Sequence, residues 1–340
     1  MKRRAITCFE RSRTQTSQPT LSVRNLETSF MSRDSEVTAL RDVSFEVESG
    51  KILGLVGESG SGKSLTAYSI MRLLEPPGVI RKGEVLFRGI DILKLSEDEM
   101  REIRGSRIAM VFQDPMMTLN PVLSIGTQMI ETVLAHQHIS YEQARQKARN
   151  LLGAVGISSP EERLQSYPHH LSGGMRQRVV IAMALAHEPD LIIADEATTA
   201  LDVTIQGQIL SEVKKLCRER HTSLIWITHD LSVIASLADD VCVMYAGQIV
   251  ESGDVDAVLD SPRHPYTRGL LASVPSRNKR GLPLHQIPGT APALINRAKG
   301  CAFQPRCTRS QPICGEPPAL VKTTGIQLAR CFFPYDGVPI

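Results

Sequence analysis

The stretch that decides the fold is "KILGLVGESGSGKSLTAYSIMRLL", residues 51–74. It opens with a continuous apolar run, which is typical of a strand buried on both faces. A helix is predicted from residue 64 onward. Between the two, Gly57–Ser64 fits the pattern G-x-x-x-x-G-K-[ST] in the strand-to-helix setting that a phosphate-binding loop requires. The stretch therefore predicts an α/β protein that binds a nucleoside triphosphate.

Each part of this loop has a chemical task. Glycines let the backbone approach the phosphates, and successive N–H groups at the helix N-terminus form an anion site. Lys63 supplies positive charge toward the β- and γ-phosphates, and Ser64 supplies an oxygen for Mg²⁺. A chance turn rich in glycine and serine is the alternative, and the joint presence of strand, motif and helix argues against it. The predicted ATP-binding residues are Gly57, Glu58, Ser59, Gly60, Ser61, Gly62, Lys63 and Ser64.

Two acids end the apolar run "LIIADE" (191–196). Alone, such a pair is more often a turn or a helix cap. Beside a phosphate loop, Asp195 becomes the natural partner of Mg²⁺ through water. Glu196 becomes the natural base for the attacking water. His229 ends the next apolar run, "SLIWITHD" (223–230), where a lone histidine is usually structural; here a contact with the γ-phosphate is favoured.

Strands and helices alternate along the chain, which predicts an α/β layered fold with a mostly parallel core sheet. From residue 261 the chain becomes rich in proline, arginine and glycine, which predicts an irregular, loop-rich extension. No internal repeat is visible. Strands are predicted at 21–30, 43–49, 51–57, 83–89, 108–114, 191–196 and 223–230, helices at about 124–155 and 204–219, and a hairpin at 240–253 around Ala246–Gly247.

The composition sets broad limits on class. With 340 residues, 42% hydrophobic and 22% charged, the chain is long enough for two domains or one domain with an extension. The net charge of +3 is too weak to indicate nucleic acid. The apolar segment "AITCF" near the start of the chain is too short for a signal peptide. Residues 1–19 are therefore expected to form a basic, mobile arm, and an arm that contacts phospholipid is the alternative. No window is apolar enough to span a bilayer. We therefore expect a soluble or peripheral protein in a reducing compartment.

A second phosphate-binding helix start is predicted at "LSGGMRQR" (171–178), where Ser172 can cap the helix. At this point residues 20–260 resemble the ATP-binding subunits of ABC transporters. The order of motifs matches that family: "GESGSGKS", then Gln113 in "VFQDP", then "LSGGMRQR", "LIIADEATTALD" and "WITHD". The resemblance implies a P-loop NTPase with a RecA-like core, an antiparallel β subdomain, and a helical subdomain at about 116–165 that receives the membrane subunit.

The resemblance also implies roles at matching positions. Gln113 would contact Mg²⁺ and the attacking water, which gives a catalytic set of Glu196, His229, Gln113 and Lys63 and a Mg²⁺ set of Ser64, Gln113 and Asp195. Phe30 is the best-placed aromatic residue to stack on adenine. The γ-phosphate bound by an opposite subunit would be met by Ser172, Gly173 and Gly174, and Asp202 would lie at the dimer interface. Two residues depart from the family pattern: Met175 replaces glutamine, and Ala197 replaces proline.

The chain has one phosphate loop, one signature and no fused membrane segment, as in bacterial importers. Its C-terminal part, with "SPRHPYTRGLLASVP" and a cysteine-rich tail, is similar to that of oligopeptide/dipeptide importer ATPases. The resemblance implies a second ATPase, expected to be a homologous different chain, two permeases and, indirectly, a periplasmic binding protein. It places the chain peripherally at the cytoplasmic face of the inner membrane, with no nucleic acid partner. The alternative is a soluble ABC ATPase of translation or DNA maintenance.

Four of the seven cysteines lie in the last forty residues with the spacing C-x5-C-x6-C-x16-C. Disulfides are disfavoured in the expected compartment, and structural zinc usually uses C-x2-4-C pairs. An iron–sulfur cluster accepts four thiolates at wider spacings, and the extension that this tail resembles is associated with a [4Fe–4S] cluster. That cluster is favoured, with zinc and reduced thiols in a structural loop as alternatives. The predicted ligands are Cys301, Cys307, Cys314 and Cys331 in an extension spanning residues 261–340.

Overall fold

The computed structural model describes residues 18–31, 35–198, 201–275, 278, 281, 283, 285–292, 299–323 and 325–336. Nearly all of the predicted basic arm (1–19) lies outside the described residues. The chain divides into two compact units. Of the described residues, the first unit contains those at 18–21, 47–51 and 87–226, and the second contains those at 22–46, 52–86 and 227–336.

The first unit carries the parallel strands that precede the acidic motif. Strand β6 (Ile108–Val111) pairs in parallel with β7 (Leu191–Asp195), with Ile108 opposite Leu191. All five residues of β7 are buried, as its apolar sequence predicts. The other elements of this unit are β5 (Ile90–Asp91), α2 (Glu97–Ile103), α3 (Pro115–Thr118), α4 (Ile125–Leu134), α5 (Tyr141–Ala154), α6 (Pro160–Leu164), α7 (Gly173–Ala184), α8 (Val203–Arg220) and β8 (Ser223–Thr228), whose last two residues belong to the second unit.

The helical stretch predicted over 124–155 consists of two main helices. Ser124 caps α4, because its hydroxyl accepts a hydrogen bond from Thr127 N. Ser140 and Gln143 form a capping box that starts α5. The helical stretch is therefore interrupted between residues 135 and 140. Buried residues on α4 include Met129, Ile130 and Val133, the face that the sequence pattern indicates.

In the second unit, the main sheet runs in the order β11 (Val321–Lys322), β12 (Leu328–Ala329), β10 (Gln248–Asp254), β9 (Asp240–Tyr245) and β3 (Ile52–Val56). Strand β3 (Ile52–Val56) pairs in parallel with β9 (Asp240–Tyr245), and β9 pairs antiparallel with β10 (Gln248–Asp254). The predicted hairpin is confirmed, and Ala246 and Gly247 both have positive φ at its turn. In a second sheet, β1 (Leu21–Met31) lies between β2 (Glu36–Val47) and β4 (Gly78–Phe87). The helices of this unit are α1 (Lys63–Met71), α9 (Leu231–Leu237), α10 (Val255–Asp260) and α11 (Pro265–Ala272).

The chain beyond residue 261 is more regular than the sequence predicts. It adds helix α11 and two short strands, and β12 pairs with β10, with Ala329 opposite Glu251. The Glu251 carboxylate is buried and accepts hydrogen bonds from Arg263 N, His264 N and the Gln327 side chain. These bonds fasten two separate segments of the second unit, at residues 263–264 and at residue 327, to strand β10. Among the described residues, no helix is both long and apolar enough to cross a bilayer.

Candidate functional site

The phosphate loop of the second unit connects β3 to α1, the setting that the sequence predicts. Gly57 lies against strand β9, so closely that a Cβ atom on it would be 2.2 Å from the Met244 carbonyl oxygen. Gly62, the residue before α1, has φ near 102°, in the left-handed region that favours glycine. These two glycines therefore meet local requirements of the loop. Ser59 and Gly60, at its tip, are exposed.

Lys63 is buried at the first turn of α1, with 4% of its surface exposed. Its ammonium group donates hydrogen bonds to the carbonyl oxygens of Gly57 and Glu58, at 2.8 and 3.0 Å. The lysine thus lies across the loop, and its role toward the phosphates stays a prediction. Ser64 follows it and is half-buried.

The acidic residues lie in the first unit at the end of β7. Asp195 is 1% exposed, whereas Glu196 is half-buried and adopts φ near 45°. A positive φ at a residue other than glycine costs energy and is concentrated at functional sites. The Gln113 amide donates to Glu196 Oε2 at 3.3 Å. The structure therefore brings together Gln113 and Glu196, which the sequence places 83 residues apart.

The signature segment begins α7 as predicted. Ser172 caps this helix by accepting a hydrogen bond from Met175 N. Gly174 lies against Ile205 on α8, where a Cβ would be 2.7 Å from that side chain. Asp202 caps α8 through Ile205 N, a structural task that its place in the motif does not reveal. Ser172, Gly173 and Asp202 expose part of their surface, so these helix starts are open to a partner.

Two further predicted residues lie in the second unit. Phe30 is on β1, half-buried, with its ring next to Gly78. His229 directly follows β8 and is exposed. Their roles toward adenine and the γ-phosphate stay predictions.

Two residues that no sequence motif indicates contact the phosphate loop from the extension. The Tyr266 hydroxyl accepts a hydrogen bond from Glu58 N at 2.9 Å. The Arg306 guanidinium forms a bidentate pair with the Glu58 carboxylate, at 2.7 and 3.0 Å. Since Arg306 is 248 residues away from Glu58 in the chain, no local pattern could have revealed this pair.

The four cysteines of the tail line one cavity in the second unit, together with apolar rings that include Phe303 and Phe333. All four are free thiols, so no disulfide joins them. Burial raises the pKa of Cys301, Cys307 and Cys331, the last to about 11, and the neighbouring thiols add to the effect. The structure thus gathers the residues that the sequence proposes as ligands of one centre.

As arranged, no three or more His, Cys, Asp or Glu side chains in the described part of the chain could hold a single metal ion. A zinc ion requires four sulfur atoms at about 2.3 Å from one point. The described residues therefore show no arranged metal site of either kind, and the cluster and its zinc alternative both stay predictions. The donor chemistry, four thiols around one apolar cavity, fits an iron–sulfur cluster.

The comparisons with known families agree with this geometry. The family described as ABC transporter matches residues 40–199, and the family described as oligopeptide/dipeptide transporter, C-terminal region, matches residues 250–314. The oligopeptide transport ATP-binding protein OppD of Bacillus subtilis (strain 168) is 50% identical, over 94% of this chain and 90% of its own length. OppD of Escherichia coli (strain K12) is 46% identical, over 93% and 94% respectively. The dipeptide transport ATP-binding protein DppD of Bacillus subtilis (strain 168) is 50% identical, over 86% of this chain and 88% of its own length.

Solved structures show the same fold. The ATP-binding cassette MJ0796, solved as a dimer in a post-hydrolysis state with ADP and Pi, superposes with a TM-score of 0.62 at 28% identity, covering 69% of this chain and 98% of that one. The protein cbiO1 of Clostridium perfringens, part of an ABC transporter complex, superposes with a TM-score of 0.62 at 26% identity. The match covers 71% of this chain and 91% of that one. The predicted fold class is confirmed, and these findings do not support the alternative role in translation or DNA maintenance. The chain therefore belongs to the ATP-hydrolysing subunits of ABC transporters, in the oligopeptide/dipeptide transporter family.

Proposed function

We propose that this chain powers the import of dipeptides, oligopeptides or a related solute into a bacterial cell. The observation that carries this proposal is the joint match of cassette and C-terminal region to peptide transporter proteins, at 50% identity over most of the chain. In this proposal it works at the cytoplasmic face of the inner membrane, with two permease subunits and, indirectly, a periplasmic binding protein. Nucleic acid is not a partner.

In this proposal, each part of the chain has a defined role in binding and hydrolysing ATP. Residues 20–260 form the ATPase domain, residues 116–165 its helical subdomain, and residues 261–340 the extension. The loop residues 57–64 bind the triphosphate, Lys63 neutralises phosphate charge, and Ser64 and Asp195 hold Mg²⁺. The magnesium ion supplies charge stabilisation to the transferring phosphoryl group when it is bound.

Hydrolysis needs a base beside the attacking water. Glu196 suits this role because its carboxylate lies at a strained strand end and contacts Gln113, whose amide can orient the same water and bind Mg²⁺. His229 contacts the γ-phosphate and Phe30 stacks on adenine. These assignments rest on matching motifs and on the local geometry of each unit.

A second cassette completes the site. The exposed helix starts at Ser172, Gly173 and Asp202 suit a partner cassette, and Gly174 belongs to the same signature. We favour a homologous different chain as partner. Native mass spectrometry of the assembled transporter tests this, and two copies of the present chain with no other ATPase would overturn it.

Uptake tests the transport function. Deleting the gene in its host should abolish uptake of a labelled dipeptide and a labelled tetrapeptide, and the parent gene should restore it. The Glu196→Gln variant should fail to restore it although the protein accumulates normally. Unchanged uptake of both peptides in the deletion strain would refute the peptide assignment, whereas full restoration by Glu196→Gln would refute the base.

The second part of the proposal concerns the four cysteines of the tail. We propose that Cys301, Cys307, Cys314 and Cys331 hold a [4Fe–4S] cluster, supported by four free thiols that line one cavity. When bound, the cluster cross-links separate segments of the tail, and so stabilises the extension. Anaerobic purification should give a brown protein with broad absorption near 400 nm and about four irons per chain.

Cys307→Ser should remove the colour and the iron. Cys217→Ser is the matched control, because Cys217 is a buried free thiol of α8 that does not line the cavity. A colourless anaerobic parent, or stoichiometric zinc in place of iron, would contradict the cluster.

A further inference from the structure

We propose that Arg306 is a positioning residue for the phosphate loop, and that it couples the state of the four-cysteine cavity to nucleotide affinity. This inference rests on the proposed role of Gly57–Ser64 as the nucleotide site. It concerns the contact between the extension and Glu58, a residue of the phosphate loop whose side chain has no direct task in the motif.

The first observation is that the Arg306 side chain is held firmly. Only 6% of it is exposed, and its Nε donates to the Pro288 carbonyl oxygen at 2.9 Å. One terminal nitrogen also lies 3.4 Å from the Tyr245 hydroxyl. A guanidinium anchored in this way presents a rigid fork to the Glu58 carboxylate, and bidentate pairs of this kind are geometrically specific.

The second observation concerns charge. Glu58 places a carboxylate in a loop that must bind a highly negative triphosphate. The paired Arg306 offsets that negative charge and also fixes the loop backbone at its second residue. Ser59 and Gly60 follow directly and are exposed, so the anchor at Glu58 limits how far this segment can move before nucleotide binds. Preorganisation of this kind strengthens binding because less ordering remains to be done.

The third observation links this anchor to the cavity. Cys301 and Cys307 bracket a tight segment whose turns are closed by backbone hydrogen bonds, from Gln304 N to Cys301 O and from Cys307 N to Gln304 O. Both thiols line the cavity. Arg306 immediately precedes Cys307, so any shift of that thiol moves the base of the guanidinium.

A second route leads to the same loop residue. Phe303, in the same segment, lines the cavity and packs against Tyr266 with ring centroids 5.5 Å apart. The Tyr266 hydroxyl accepts the Glu58 N–H. The segment between the two cysteines therefore reaches Glu58 through its carboxylate and through its backbone. Occupancy of the cavity fixes the segment, and the segment fixes the loop.

The test measures binding of a fluorescent ATP analogue with Mg²⁺ to the full chain. Arg306→Ala should weaken binding about tenfold, which corresponds to ~1.4 kcal/mol. Arg306→Lys keeps the charge without the fork and should lose about threefold. The matched control is Arg330→Ala, because Arg330 is similarly buried, precedes Cys331 and pairs with Asp42 on β2, a residue outside the phosphate loop. It should bind within about twofold of the parent.

The reciprocal test measures the reactivity of the thiols that line the cavity. In the metal-stripped full chain, ATP with Mg²⁺ should slow iodoacetamide labelling of Cys301 and Cys307 several-fold, since coupling between two sites acts in both directions. The slowing should persist in Arg330→Ala and disappear in Arg306→Ala. This readout does not depend on which metal fills the cavity.

The outcomes are separable. Parent-like binding by Arg306→Ala, equal losses in Arg306→Ala and Arg330→Ala, or the same ATP protection in Arg306→Ala as in the parent would each overturn the coupling. A parent chain that binds no nucleotide would instead refute the proposed nucleotide site, and the coupling with it. The nucleotide-binding test applies to a chain that contains iron and to one that does not, and the labelling test is made on the metal-stripped chain.

Discussion

His264 should make the stability of the chain fall in mild acid. Its side chain is 1% exposed, and its Nδ1 accepts a hydrogen bond from Tyr266 N at 3.0 Å. Burial lowers the pKa of this imidazole from 6.5 to about 3. The folded chain therefore keeps His264 neutral at pH values where the unfolded chain protonates it.

The sign of the effect follows from proton linkage. Between pH 6.5 and about 3 the unfolded state binds one more proton at His264 than the folded state, so the free energy of unfolding falls as the pH falls. The contribution is fully present above pH 6.5. The slope for one proton is about 1.4 kcal/mol per pH unit, which gives a loss of about 2 kcal/mol on going from pH 7 to pH 5.

The neighbouring Glu251 acts in the opposite direction. Burial raises the pKa of its carboxyl, and the hydrogen bonds that it accepts only partly offset that rise. Its stabilising contribution is therefore present at low pH and lost as the pH rises through its folded pKa. The pH dependence of the free energy of unfolding contains contributions from both His264 and Glu251. The contribution of His264 is therefore obtained from the difference between the parent and a His264 variant.

His264→Asn is the informative change, because asparagine keeps a side-chain acceptor at the start of α11 and does not titrate. Urea unfolding at pH 7 and pH 5 gives the free energies. The parent should lose about 2 kcal/mol more than His264→Asn over this interval. An exposed control, His285→Asn, should track the parent. A parent-to-variant difference that is independent of pH would refute the reasoning.

Three further predictions concern the nucleotide site and the core. Glu196→Gln should slow ATP hydrolysis by the assembled transporter about 10²–10⁴-fold while nucleotide binding persists; parent-like turnover would contradict the base. Gly57→Ala should weaken binding of a fluorescent ATP analogue about tenfold (~1.4 kcal/mol), because its Cβ would clash with the Met244 carbonyl oxygen; equal affinity would show that the loop can move aside. Asp190→Ala should lower the free energy of urea unfolding by about 3–5 kcal/mol, because it leaves two largely buried arginines without their carboxylate; a loss below about 1 kcal/mol would contradict this.

The phosphate loop and the buried strands were predictable because their signals are local. Gly57–Ser64 carries the spacing that its backbone requires, and β7 is apolar along its whole length because it is buried on both faces. The capping role of Ser172 was predictable for the same reason, since a cap depends only on residues three positions away. The interruption near residue 140 has a local signal, because Ser140 and Gln143 form the capping box that starts α5. The apolar residues keep a helical spacing on both sides of it, so the apolar pattern alone does not indicate the break.

The parts that could not be predicted depend on distant contacts. Strands β11 and β12 are two residues long, so no alternation can be read from them. Their conformation comes from pairing with each other and with β10. The contact of Arg306 with Glu58 has no sequence signature, because each residue alone is an ordinary charged side chain. Likewise, the spacing of the cysteines suggests a shared centre, and only the fold brings them to one cavity.

The same sequence feature occurs twice around that cavity, and it accounts for how so small an extension is held. Arg306 precedes Cys307, and Arg330 precedes Cys331. Each cysteine lines the cavity, while each arginine is largely buried and pairs with a carboxylate of the cassette, on the phosphate loop and on β2 respectively. A charged residue buried this deeply is tolerated only when it is paired. Each arginine–cysteine step therefore places its arginine on the cassette and its thiol in the wall of the cavity. The two pairs differ in what the arginine reaches, which is why only the one at the phosphate loop is expected to change nucleotide affinity.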